Sequence, residues 1–142
     1  MKVKTKIIDV NINTPKLSYA KEGDAGIDLT ATSKRYDENG NVCFGTNRAF
    51  EIPKGYVGLL FPRSSNAKKD LLLSNSVGVL DSGYRGEVLF KFKRTLRDAN
   101  VYEIGDRIGQ LIIMPYPQIE FEEVEELSKT ERGSGGYGST GL

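Results

Sequence analysis

Residues 75–88 (NSVGVLDSGYRGEV) bring a carboxylate, a phenol and a guanidinium close together in the chain, as Asp81, Tyr84 and Arg85. The 142-residue chain has no histidine and one cysteine, Cys43. Ser-His-Asp and Cys-His catalysis are therefore excluded, and so are the usual zinc sites. Any general base is most simply a carboxylate. Any metal must be a hard cation held by oxygen from Asp, Glu, water or a substrate's own phosphates. Asp81-Ser82-Gly83 is also ordinary tight-turn composition, and on its own it needs no functional reason.

Four other stretches carry groups of the same kind. Asp28 in AGIDLTA (25–31) lies among apolar neighbours, where a carboxylate needs a partner, although a capping or turn role would also account for it. In PRSSN (62–66), Ser64 and Ser65 make a good N-cap for a short helical turn. The same turn offers free N–H groups and hydroxyls to an anion, with Arg63 alongside. Gln110 sits in GDRIGQLIIM just before a run that should be buried. Residues 128–142 (SKTERGSGGYGSTGL) hold five glycines and almost nothing to bury, so they cannot order themselves. Such a segment is ordinarily a frayed tail. This one carries Arg132, Tyr137, Ser139 and Thr140 among glycines that let backbone N–H groups approach phosphates. It lacks a P-loop lysine, yet it suits folding over a nucleotide, with Tyr137 on a base and Arg132 on a phosphate.

The elements that must position these groups are short strands. Val3, Thr5 and Ile7 alternate with three lysines, predicting an N-terminal strand with one basic, solvated face. Residues 33–48 read as a polar surface excursion with a hairpin turn at Asn39-Gly40. Residues 50–53 and 55–61 read as strands, the second apolar on both faces. Residues 77–92 read as a β-hairpin with Asp81, Tyr84 and Arg85 at its tip, because Val88, Phe90 and Phe92 alternate with Leu89, Lys91 and Lys93. Residues 107–114 form a further strand ended by Pro115 and Pro117, and residues 119–127 are read as one more. No long amphipathic helix is evident. The expectation is an all-β sandwich or barrel in one domain, residues 1–127, followed by the Gly-rich arm, 128–142. The net charge of +1 calls for neither nucleic acid nor an anionic membrane. The absence of a signal-like or membrane-spanning apolar run, with the single cysteine, points to the cytoplasm.

Together these stretches resemble the trimeric dUTP diphosphatases. The resemblance covers nearly the whole chain, through AGIDL (25–29), PRSS (62–65), GVLDSGYRGE (78–87), GDRIGQ (105–110) and RGSGGYGSTG (132–141) in the family's order. It implies a jelly-roll-like subunit that forms a homotrimer. Each active site would be built from three chains and closed by a neighbour's C-terminal arm. It implies Mg²⁺-dependent hydrolysis of dUTP to dUMP and pyrophosphate, limiting uracil in DNA and supplying dUMP for dTMP synthesis. Asp81 would be the general base for water attacking the α-phosphorus. Asp28 would hold Mg²⁺ through water. Arg63, Ser64, Ser65 and Gln110 would contact or organise the phosphates. Asn75, Gly78 and the backbone around them would read uracil, and Tyr84 would pack on the deoxyribose and exclude a 2′-hydroxyl. Arg132, Gly136, Ser139 and Thr140 would hold the γ-phosphate end, with Tyr137 over the base.

The sequence departs from the family pattern at three places. Tyr137 stands where phenylalanine is commoner, Ser65 where many members have glycine, and Gly109 where alanine is common. A dCTP deaminase shares the implied fold but differs in the third and fifth motifs. A dUTP-binding regulator of a partner protein and a structural β-sandwich are the readings from other classes.

Overall fold

The computed structural model describes residues 1–141, and nearly all of their regular structure is strand. In chain order the strands are β1 (Lys4–Ile7), β2 (Ile27–Thr30), β3 (Ser33–Tyr36), β4 (Asn41–Gly45), β5 (Arg48–Glu51), β6 (Tyr56–Phe61), β7 (Leu71–Leu73), β8 (Gly78–Leu80), β9 (Leu89–Arg94) and β10 (Arg107–Pro115). A single 3₁₀ turn, Ser64–Lys68, interrupts them. Two antiparallel four-stranded sheets, ordered β2-β10-β6-β8 and β3-β4-β9-β7, are joined by a β1-β5 ribbon. No helix among the described residues is long and apolar enough to cross a membrane.

One core lies between the two sheets. The first supplies Leu29, Leu60, Leu80, Ile108 and Leu111, and the second supplies Val42, Phe44, Leu71, Leu73, Phe90 and Phe92. Phe44 meets Phe92 and Tyr102 edge-on at centroid distances of 6.0 and 6.1 Å. Each such ring removed from water contributes about 1.5–3 kcal/mol. The alternation expected around β9 holds, with Val88, Phe90 and Phe92 inside and Leu89, Lys91 and Lys93 exposed. The all-β, jelly-roll-like sandwich is therefore the fold.

Four expectations give way to the structure. Residues 77–92 are not a hairpin: β8 pairs with β6, whereas β9 pairs with β4 and β7. Residues 81–88 instead cross from one sheet to the other. Alternation reports which face is buried and carries no information about the strand's neighbour. Residues 33–48 are a surface excursion only as far as the turn, because β4 is an inner strand whose Val42 and Phe44 oppose Phe92 and Phe90. Its exposed polar part is β3 and the turn that follows, where Gly40 takes the left-handed φ of 78° that the turn needs. Residues 119–127 form no strand, and Phe121 is 88% exposed. In β1 every residue is exposed, so both faces are open rather than one.

Candidate active site

Cross-strand register assembles the first cluster. Gln110 on β10 lies opposite Asp28 on β2 and Phe61 on β6, so these three positions form a row across the sheet. The chain turns just after Phe61, and Arg63 reaches back to donate from Nε to Asp28 Oδ1 at 2.9 Å. Arg107 Nη1 donates to the other oxygen, Oδ2, at 3.4 Å. Gln110 Nε2 donates to the Pro62 carbonyl at 3.0 Å, which ties the row to the PRSSN turn. A Cβ at Gly26 would lie 2.2 Å from Gln110 Oε1, so only glycine leaves this side chain its place. A cleft of about 330 Å³ opens here, lined by Asp28, Arg63, Ser64, Arg107 and Gln110 among others. Asp24 also lines the cleft, so its two guanidiniums face two carboxylates; what suits it to a polyphosphate is a pair of arginines held in place by Asp28 beside the Ser64 hydroxyl.

The serine pair does not cap the 3₁₀ turn. Arg63 occupies the N-cap in extended backbone, and no side chain caps. Asn66 holds the turn instead, donating from Nδ2 to the Leu71 carbonyl (2.9 Å) while Oδ1 accepts from Tyr102 Oη (3.0 Å). The Ser65 hydroxyl accepts from Arg63 Nη1 at 3.2 Å, and Ser64 is exposed with no hydrogen-bond partner among the described residues. Its hydroxyl is free for a ligand.

The second cluster follows β8. Asn75, Gly78, Leu80 and Tyr84 line a separate cleft of about 200 Å³. Tyr84 Oη donates to the Glu87 carbonyl at 2.9 Å, folding the ring over Gly86, where a Cβ would lie 2.5 Å from the hydroxyl. The Glu87 carboxylate accepts from the Asn47 backbone N–H at 2.8 Å, with Asn47 held at φ 56°. The Asp81 carbonyl accepts from the Tyr84 N–H at 3.1 Å, while its carboxylate is exposed with no hydrogen bond or ion pair among the described residues. Asp81 is thus a carboxylate whose lone pairs remain available to water.

The third cluster is the arm, where Arg132, Ser139 and Thr140 line an open cleft with Thr130 and Glu131. Arg132 Nε donates to the Gly135 carbonyl at 2.8 Å, and Gly136 accepts from the Ser139 N–H at 3.1 Å. Tyr137 is fully exposed at φ 47° and packs on nothing.

The structure brings together Asp28, Arg63, Ser64, Ser65 and Gln110, and separately Asn75, Gly78, Tyr84 and Asp81. It does not join the two groups. β2 and β8 are the outer strands of the sheet, with β10 and β6 between them, a lateral separation of about 14 Å. Asp81 follows the Leu80–Gly58 pair, so it also lies on the order of 14 Å along the strands from the Asp28–Gln110–Phe61 row.

Arg107, Gly26 and the Glu87–Asn47 pair were not singled out in the sequence as site residues. Arg107 had a signal in GDRIGQ, as a cation at the start of a strand bearing Gln110. Nothing local marks Asn47, whose role depends on a partner 40 residues away.

No group of three or more His, Cys, Asp or Glu residues able to hold a metal occurs among the described residues. Both Asp28 oxygens already accept from arginines. This donor set does not cage a cation directly, but it fits Mg²⁺ held by phosphate oxygens and waters, with Asp28 beyond a water.

The sequence model of the dUTPase family matches residues 12–141. The deoxyuridine 5'-triphosphate nucleotidohydrolase of Acinetobacter baylyi is 37% identical and aligns over 99% of both chains. That of Cutibacterium acnes is 43% identical over 87% of this chain and 84% of its own. A mutant dUTPase of Staphylococcus bacteriophage 80alpha with dUpNHpp superposes with a TM-score of 0.84 at 27% identity, covering 99% of each chain. A mutant dUTPase from phage phi11 of S. aureus, described as coordinating a structural Mg(II) ion, gives 0.73 at 25% identity over 89% of this chain and 98% of its own. On the family match and these relatives, the chain belongs to the dUTPase family.

Proposed function

We propose that this chain hydrolyses dUTP to dUMP and pyrophosphate, in a homotrimer whose active sites each combine clusters from different subunits. The separation between the Asp28–Gln110 row and Asp81 carries the composite reading. A general base and the phosphate-binding groups must meet at one α-phosphate. Within one chain they are on the order of 20 Å apart.

In the assembled site, Asp81 orients a water and takes its proton as the oxygen attacks the α-phosphorus. The α–β bridging bond breaks, and pyrophosphate leaves with the electron pair. Arg63, oriented by Asp28, and the free Ser64 hydroxyl bind the phosphate chain. Gln110 holds the Pro62 carbonyl and so sets where Arg63 starts. Bound Mg²⁺ would neutralise the triphosphate and fix its shape, kept by phosphate oxygens and by waters that Asp28 accepts from. Asn75 and the backbone around Gly78 pair with uracil's polar edge. A base with the wrong donors leaves buried groups unpaired, which rejects it strongly. Tyr84, pinned to the Glu87 carbonyl, lies against the deoxyribose and leaves no room for a 2′-hydroxyl. Arg132, Ser139 and Thr140 take the γ-phosphate, the backbone at Gly136 approaches it closely, and Tyr137 covers the base. The chemistry is that of a cytoplasmic enzyme without nucleic-acid or membrane partners.

The test is pyrophosphate release from dUTP, dTTP, dCTP and UTP, with and without Mg²⁺, alongside ammonia release from dCTP. Rapid Mg²⁺-dependent release from dUTP alone is expected. Ammonia from dCTP would make the chain a deaminase, and tight dUTP binding without turnover would make it a dUTP sensor.

A further inference from the structure

Arg48 is the one arginine of this chain that folding takes out of water, at 7% exposed. It makes no ion pair among the described residues. Its guanidinium donates from Nη2 to the Pro15 carbonyl and to no other protein group. A guanidinium has five N–H donors, and burying one without a counter-charge is costly. No fully buried side-chain nitrogen or oxygen lacks a partner among the described residues. The remaining Arg48 donors are therefore not sealed in, and the residue lines a space that can supply them with a partner.

That space is a cavity of about 150 Å³ behind the Asp28 carboxylate. Lys16, Arg48 and Arg107 line it with Thr30 and Thr46, and its only acidic residue is Asp28. Asp28 already serves Arg63 and Arg107, at 2.9 and 3.4 Å. The lining thus carries three cations against one engaged carboxylate, with hydroxyls between them. Burial also pushes the Arg48 pKa down, as expected for a cation short of a partner.

We propose that this cavity is a binding site for a small phosphate-type oxyanion, with Arg48 as its principal ligand and Lys16 at its rim. The size suits inorganic phosphate, and the position next to the triphosphate cleft suits an anion released there. The source of the anion rests on the dUTP reading, whereas the site itself rests on Arg48 and its cavity and is tested separately.

The test uses the full chain in phosphate-free buffer, titrated with inorganic phosphate or with pyrophosphate against chloride at matched ionic strength. Calorimetry and thermal unfolding are read with and without saturating dUpNHpp, which occupies the main site if the dUTP reading is right. The unmodified chain is expected to take up one anion per subunit even with dUpNHpp bound. Arg48→Leu should weaken that uptake by about tenfold or more, the loss of charge-assisted hydrogen bonds. Its unfolding temperature should stay level or rise, because an apolar side chain of similar volume replaces a cation lacking an acid. Its dUTP turnover should be unchanged. Lys16→Ala, at an exposed position that cannot unfold the chain, should weaken uptake several-fold and covers the case in which Arg48→Leu does not fold. Whichever anion tracks Arg48 identifies the occupant. Equal uptake by the variants and the unmodified chain, or no uptake with dUpNHpp bound, would overturn the site. A carboxylate from a second copy of the chain sitting on Arg48 would give the latter result.

Discussion

The two candidate-site aspartates differ in what holds them. Asp28 is held by two arginines, whereas the Asp81 carboxylate is exposed and has no partner among the described residues. Asp81→Asn should therefore leave the fold and dUTP binding intact while lowering turnover by about 10²–10⁴-fold, the usual contribution of a positioned base. Near-normal turnover in that variant, measured as pyrophosphate release, would remove Asp81 from its role. Gly86→Ala should act differently, because the new methyl meets the Tyr84 ring and hydroxyl. It should displace Tyr84 and relax discrimination between dUTP and UTP, read as the ratio of their kcat/KM values. The types of the site residues were legible in the sequence because their chemistry is local: a carboxylate in a turn, an arginine before hydroxyls, glycines in an arm. Their partners were not legible. The apolar neighbours of Asp28 say that it needs a partner, but only the folded chain shows that it has two.

At the scale of elements, β9 and β10 bear on one another through Gly109. A Cβ there would lie 2.1 Å from the Phe90 ring, which itself is buried in the core. This gives a physical reason for glycine where the family commonly has alanine: Phe90 fills the space. Gly109→Ala should destabilise the chain by about 1–3 kcal/mol, and adding Phe90→Leu should recover part of that loss. Denaturant unfolding of the two single variants and the double variant measures the coupling, and strictly additive losses would contradict the packing argument. On β4, burial pushes the Cys43 thiol pKa up, with nearby Arg35 and Lys91 only partly opposing it. The thiol should stay unreactive toward a disulfide reagent at neutral pH in the folded protein and react once per chain in denaturant. Strand existence is readable from alternation at β9 and from short apolar runs bounded by turn residues at β6 and β10. Partnership is not, so the sequence alone reads β8 and β9 as a hairpin, and the polar run Asp37-Glu38-Asn39-Gly40-Asn41 makes β4 read as surface. The segment 119–127 failed for a related reason: its apolar residues have nothing in the described chain to pack on.

At the scale of the molecule, the described chain has a closed core and three open clusters that do not meet. The arm adds nothing to that core, so deleting residues 128–142 should leave the thermal unfolding of the sandwich unchanged. Turnover should nevertheless fall sharply, since Arg132, Ser139 and Thr140 are removed from the phosphates. Full activity after the deletion would reduce the arm to a tail. The most direct test mixes two inactive variants, Asp81→Asn and the arm deletion, and reassembles them together in equal amounts. If each site takes Asp81 from one subunit and its arm from another, random mixed trimers regain about a quarter of the turnover of the unmodified protein. If one chain supplies both groups to its own site, no mixture regains any activity, and that result would contradict the composite site.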